Sequence, residues 1–270
     1  MMVTPDSHYD LINFQTFLQK KIPFIFIRFS DGETEILRNR SLVIDKNKIL
    51  FRGKKLKNIY PKHDFKNFNP SDSQPIRADL LKAAMYRGFN FYKGIPTRHN
   101  NAILDREFML RLNGGMDKYI TFSDLFMNSN YEFFRTYFIA EFRKFKNITI
   151  IANHRARFNN FLTNANHIKI PDNFFSCYEQ TILDINQQLD HLPIGSLILS
   201  SASSLSNIIG YQLHKKYPKK FTFIDIGSSM NDFIGLKSNV RTYHLLTNRG
   251  LRTFILKNIY KLSKNYKIQW

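Results

Sequence analysis

Cysteine is nearly absent from this 270-residue chain, with Cys177 the only one. A single thiol excludes a disulfide framework and a zinc site built from cysteines, and it suits a reducing compartment. Acids are scarce as well. Against 40 Lys and Arg stand 21 Asp and Glu, a formal net charge of +19. That surplus is either a solvated lysine-rich surface or the footprint of an anionic partner: nucleic acid, a membrane surface or a phosphorylated substrate. Long apolar runs are missing too. The run at 22–29 falls far short of the ~20 residues a membrane helix needs. The N-terminus, Met1-Met2-Val3-Thr4-Pro5-Asp6, has neither the basic nor the apolar region of an export signal. The expectation is a soluble, cytoplasmic protein, with peripheral contact at the inner face of a membrane left open. No GxGxxG or GxxxxGK[ST] occurs, so the dinucleotide fingerprint and the P-loop are excluded.

What is present is apolar and aromatic. Hydrophobic residues make up 43% and aromatics 15%, with 26 Phe and 13 Tyr, enough to bury a sizeable core and to rule out disorder of the whole. Cys177, with no base beside it in the sequence, reads as a core thiol.

Residues 22–29 are β-branched and aromatic and read as a buried strand. Ser30-Asp31-Gly32 breaks it, and a helix follows from 33, with Ser30 or Asp31 as N-cap. Residues 42–51 suggest a hairpin or strand pair, 52–75 a loop-rich passage, 76–91 and 102–112 helices, and 122–145 one long helix or two. The second half is more regular. Strands are expected at 147–152, 166–170, 195–200 and 221–226, and helices at 154–162, 178–189 and 203–216. Strands alternating with helices imply βαβ crossovers and a parallel sheet. The fold class is therefore α/β, a Rossmann-like doubly wound, mostly parallel sheet with flanking helices. It forms one domain over 1–250. Residues 251–270 read as a basic amphipathic tail, packed on the domain or lying on an anionic membrane.

In such sheets ligands bind beyond the carboxyl ends of the strands. That singles out the loops at 30–33, 153–157, 201–204 and 227–231. Asp31-Gly32-Glu33 offers two carboxylates to Mg²⁺ or Mn²⁺ and leaves coordination positions for phosphate. The same acids also suit a helix start, as a cap and as partners of the helix dipole. Arg28, near the end of an apolar strand, needs a partner: a diphosphate, or Asp31 or Glu33 in a structural ion pair. The small residues at 200–206, Ser201 and Ser203 among them, permit close approach of a ligand to a helix N-terminus, or simply cap that helix. Asn153, with His154, Arg155 and Arg157 after it, could hold phosphate or form an ordinary basic surface. Asp225 could act on a substrate hydroxyl or mark a polar strand end.

The run Arg28-Phe29-Ser30-Asp31-Gly32-Glu33 resembles the Arg-Phe-Gly-Asp-Gly-Glu signature of the GT-D-type glycosyltransferases, a family long catalogued as a bacterial domain of unknown function. The order of elements from about residue 20 to 245 is similar as well, through to Asp225-Ile226-Gly227. Two departures stand out: Ser30 replaces Gly, and the second loop is Ser-rich rather than Gly-rich. The resemblance implies a metal-dependent transferase using a nucleotide diphosphate sugar, typically a uridine diphosphate sugar, in polysaccharide or glycoconjugate synthesis. The acceptor would be a glycan, a lipid-linked glycan or a glycoprotein. It implies Asp31 and Glu33 as the ligands of Mn²⁺ or Mg²⁺ and carries Arg28 as a motif residue. Asn153, Ser201 and Ser203 are expected at the substrate. For the acceptor base, Asp124, Glu179 and Asp225 stay open. Two other classes compete: a basic nucleic-acid-binding protein, against which stands the even spread of positive charge, and a metal-dependent phosphoryl-transfer enzyme such as a nuclease.

Overall fold

A computed structural model of the chain describes residues 7–57, 65–97, 102–158, 162 and 164–236. The tail expected at 251–270 lies outside them. Helix α1 (Ser7–Gln19) leads into strand β1 (Ile25–Arg28) and helix α2 (Asp31–Leu37). Four short strands follow, β2 (Leu42–Ile44), β3 (Lys48–Phe51), β4 (Lys54–Lys57) and β5 (Lys66–Phe68). Then come α3 (Gln74–Met85), β6 (Phe91–Ile95), α4 (Ala102–Asn113) and β7 (Ile120–Phe122). Residues 131–142 form one helical run, α5 (Tyr131–Phe133) and α6 (Ile139–Phe142) on either side of a wider π turn. The second half supplies β8 (Ile148–Asn153), β9 (Asn166–Ile170), α7 (Tyr178–Asp190), β10 (Leu197–Ser201), α8 (Ser204–Lys216) and β11 (Thr222–Asp225).

Seven of the strands form one sheet in the order β7-β6-β1-β11-β10-β8-β9. Every neighbouring pair in it is parallel, so the α/β fold expected of the sequence is the one observed. Both faces are covered, which is why the central strands read as unbroken apolar runs rather than alternating ones. In β1, Ile25 and Ile27 pack into the core on one face, while Phe24 and Phe26 pack into that on the other. The first core takes α3, α7 and α8. The second is unusually aromatic: Phe126 meets Phe134 and Phe138 at ring separations of 5.0 Å each, inside the range where offset or edge-on aromatic pairs attract.

One expectation is extended and three are corrected. The loop-rich passage at 52–75 also holds two strands that the sequence did not suggest, β4 and β5, which complete a separate antiparallel sheet, β4-β3-β2-β5. Helix 76–91 stops at Met85, and β6 begins at Phe91. Within 122–145 the helix begins only at Tyr131, after β7 has already joined the sheet. Residues 154–158 are turn and irregular chain rather than helix. The missed strand β6 is fully buried yet contains Lys93 and Gly94. Lys93 is 2% exposed, and its ammonium donates to the carbonyls of Ala84 and Tyr86 at the end of α3, and to Asn113 Oδ1. A lysine spent on closing a helix end carries a polar letter into a core strand, and hydropathy patterns misread it.

Helix α8 crosses β1 so closely that a Cβ on Gly210 would lie 2.5 Å from Ile27 Cγ2. Gly210→Ala is therefore expected to cost about 1–3 kcal/mol by overpacking. In an Ile27→Ala background the added cost should fall, leaving the part due to Phe223 and Ile25 at 3.1 and 3.2 Å, a non-additivity that thermal denaturation of the four proteins would read.

Candidate active site

The carboxyl ends of β1, β8, β9, β10 and β11 and the inner face of the small sheet enclose a cleft of about 470 Å³. Arg28, Asp31, Glu33, Asn153, Ser201 and Ser203 all line it. Asp225 does not; it sits behind the lining, 4% exposed.

The acids occupy different environments although only Gly32 separates them. Ser30 is the N-cap of α2, and Glu33 reaches back three residues to accept the Ser30 N–H at 3.1 Å, the arrangement of a capping box. Its other oxygen accepts the Ser203 hydroxyl at 3.2 Å. Burial pushes the Glu33 carboxyl above its ordinary value. Lys66 pulls it back, while Asp225 and Asp31 push it further up. Asp31, by contrast, is exposed at the cleft, with one oxygen accepting the Gly32 N–H at 2.9 Å. The capping reading holds for Glu33, and the side chains of both acids line the cleft.

Arg28 pairs with neither acid of the motif. Its Nη2 lies 3.1 Å from Asp225 Oδ1, across neighbouring strands, with both side chains at most 10% exposed. Nη1 donates to the Ser123 carbonyl at 3.2 Å, and Asn207 of α8 donates to the Arg28 carbonyl at 2.7 Å. Asp225 also accepts the Gly227 N–H at 3.0 Å. Burial raises its pKa, and Arg28 and that N–H offset only part of the rise. Gly227 has a positive φ of 43°, and a Cβ there would fall on the Arg28 guanidinium. The glycine of Asp225-Ile226-Gly227 is thus fixed by an arginine almost 200 positions away.

The serine-rich loop does not work as a simple cap. Ser200 and Ser206 hydroxyls bond each other at 2.8 Å and staple the loop. Ser203, the N-cap of α8, makes no capping bond and turns its hydroxyl to Glu33. Its φ of 54° and ψ of −139° belong to a region that glycine populates easily and serine does not. A Ser stands here in glycine's backbone conformation, held by its bond to the motif acid.

On the opposite wall, Asn153 donates to Asp172 Oδ1 at 2.9 Å and Arg155 forms an ion pair with Asp172. Burial pushes Asp172 up, but the bonds from Arg155 and Asn153 outweigh it and hold the carboxyl below its usual range. Lys66 and Asp172 are cleft residues that the sequence did not single out, while Asn231 comes from the loop at 227–231 that it did. Lys66 lies on a three-residue strand too short to show a pattern, and Asp172 is a single acid just past β9 with no motif around it. His154, Arg157 and Glu179 are exposed and lie outside the lining, as does Asp124, which accepts the Thr97 hydroxyl at 2.6 Å. Cys177 is not a core thiol; it is exposed at the start of α7.

The donor set sets limits on a metal. Among the described residues no three or more His, Cys, Asp and Glu side chains converge to cage an ion. Two carboxylates facing a cleft suit a cation whose remaining positions are filled by water and substrate phosphate, which is how Mg²⁺ is commonly bound. Asp31 and Glu33 could hold such an ion.

The Gly227 contact makes a prediction. Gly227→Ala should displace the guanidinium and cost about 3–5 kcal/mol, the range for opening a buried ion pair. In an Arg28→Ala background its cost should fall to the ~1 kcal/mol that a left-handed non-glycine residue carries. Equal costs in both backgrounds, measured by denaturant titration, would show that the contact does not constrain position 227.

No family profile matches the sequence, and no curated protein matches it. Two solved structures do resemble it. One is described as the selenomethionine-substituted structure of domain of unknown function 1792, with a TM-score of 0.53, 13% identity, and 84% of this chain covering 80% of that one. The other is described by the statement that the highly conserved domain of unknown function 1792 has a distinct glycosyltransferase fold; its TM-score is 0.54 at 12% identity, with the same coverage. The likeness supports the resemblance seen in the Arg28–Glu33 motif, and at such low identity what it shows is the fold. By architecture, then, this chain is an α/β protein with the glycosyltransferase fold of that domain.

Proposed function

We propose that the protein is a metal-dependent glycosyltransferase, moving a sugar from a nucleotide diphosphate sugar, a uridine diphosphate sugar first among them, to a hydroxyl of a glycan, lipid-linked glycan or glycoprotein. The observation that carries this reading is the position of Asp31 and Glu33. Both face a cleft at the carboxyl edge of the sheet, in a chain with this fold.

The chemistry asks for stabilisation of a diphosphate leaving group as charge develops on it. A divalent ion, Mn²⁺ or Mg²⁺, held by Asp31 and Glu33 would neutralise that charge. The chain's own residues do the rest. Arg28 presents its guanidinium at the cleft, oriented by Asp225, Ser123 and the absence of a side chain at Gly227. A donor group fixed in advance acts more strongly than one that must reorganise during reaction. Asp225, buried behind the arginine, serves as its positioning residue. The small side chains of Ser201, Ala202 and Ser203 let phosphate oxygens approach the first N–H groups of α8. Ser203 ties that loop to Glu33, so the phosphate loop and the motif acid hold one another in register. Lys66 adds positive potential to the wall, while the charge of Arg155 is matched by Asp172 beside it.

Screening sugar nucleotides by thermal shift should find one that raises the melting temperature more with Mn²⁺ than without it, because a ligand of the folded state stabilises it by mass action. Asp31→Asn should cut slow hydrolysis of that donor by about a hundredfold or more. It should also abolish the Mn²⁺-dependent part of the shift while leaving the melting temperature of the free protein near wild type, since Asp31 is exposed. Undiminished activity in both Asp31→Asn and Glu33→Gln would overturn the reading.

A further inference from the structure

The β3–β4 hairpin carries more charge than an edge strand needs to stay soluble. Residues 45–57 read Asp-Lys-Asn-Lys-Ile-Leu-Phe-Arg-Gly-Lys-Lys-Leu-Lys, with five lysines against the single acid Asp45. All five, Lys46, Lys48, Lys54, Lys55 and Lys57, are exposed. Lys48 and Lys57 stand directly opposite each other in the β3–β4 register, where like charges repel. Asp45 lies 3.6 Å from Lys48 and offsets one charge of the five. The arm's outer strand and its tip also face solvent. Each of the four residues of β4 is exposed, and among the described residues nothing lies within 4 Å of where a Cβ on Gly53 at its tip would be. The arm is nonetheless anchored, because Arg52 turns inward to ion-pair with Asp105 and Glu35.

The hairpin is not only basic. Leu56 is 52% exposed between Lys55 and Lys57. In register it stands opposite Ile49, Ile49 opposite Ile44, and Ile44 opposite Lys66. Those four side chains line the cleft, so an apolar row runs across the small sheet from the lysine beside Glu33 to the edge strand β4.

We propose that this hairpin docks the protein on an anionic lipid bilayer, its five lysines at the headgroup phosphates and Leu56 at the polar–apolar boundary, so that the cleft opens toward the membrane. Lysines near an anionic leaflet attract it additively, and an apolar side chain set among them suits the interface. A nucleic acid fits the arm less well, since none of its exposed residues is aromatic and base stacking asks for one. The inference concerns the surface and stands whatever chemistry the cleft performs.

Co-sedimentation of the full chain with vesicles provides the test. Binding is expected to vesicles of phosphatidylcholine mixed with phosphatidylglycerol, to be absent with phosphatidylcholine alone, and to be lost as salt rises. Replacing Lys54, Lys55 and Lys57 together by Gln should weaken it about a hundredfold, without changing the melting temperature. Leu56→Ser should weaken it several-fold at every salt concentration. The control removes the same charge elsewhere, at the exposed Lys20, Lys21 and Lys146, each replaced by Gln, and should alter binding far less. Equal losses in the two triple variants, unchanged binding in the hairpin variant, or tighter binding to a single-stranded oligonucleotide than to the anionic vesicles would each overturn the proposal.

Discussion

The ion pair between Arg28 and Asp225 is the constraint around which the cleft is arranged. It joins the carboxyl ends of two neighbouring central strands. Both side chains are at most 10% exposed, so each offsets part of the cost of burying the other. The consequences spread from there. Gly227 must lack a side chain, the Arg28 carbonyl is received by Asn207, and the chain leaving β1 is aimed so that Ser30 can open α2 with Glu33 folded back upon it. Glu33 in turn holds Ser203 in a conformation that serine would otherwise avoid. One buried charge pair and a short series of hydrogen bonds thus link three of the loops that border the cleft.

A second group of charges fixes the small sheet to this arrangement. Glu35, on α2 two residues beyond Glu33, is fully buried and lies 3.6 Å from Arg40 and 3.8 Å from Arg52. Asp105 of α4 receives both Arg38 and Arg52. Three arginines and two acids therefore bind α2, α4 and the turn of the β3–β4 hairpin together. The helix that begins with the motif acids cannot shift without straining the arm, and the arm forms one wall of the cleft.

Much of this was legible in the sequence, for a physical reason. Parallel strands buried on both faces are apolar throughout, so β1, β8, β10 and β11 stood out, and the polar residues just beyond them marked the loops that meet at the cleft. The misreadings have physical causes too. β6 was hidden because Lys93 spends its charge on helix ends inside the core. β4, with three lysines in four residues, looks like loop because its partners rather than its side chains make it a strand. The sequence offers Arg28 the nearby Asp31 and Glu33, whereas its partner is Asp225, because a parallel sheet brings together strands that the chain visits far apart. Pairings at that separation leave no local periodicity to detect.

The small sheet enters and leaves the fold at nearly one point. Past its last strand, Arg77 Nε donates to the Leu37 carbonyl at 3.2 Å, and Gln74 donates to Asn39 Oδ1 at 3.0 Å. A segment whose ends already meet adds little loop-closure entropy however long it grows. The stretch between them could therefore lengthen, shrink or be exchanged over evolution while the seven-stranded sheet kept its register, leaving the outer wall of the cleft free to diverge as its inner wall stays fixed.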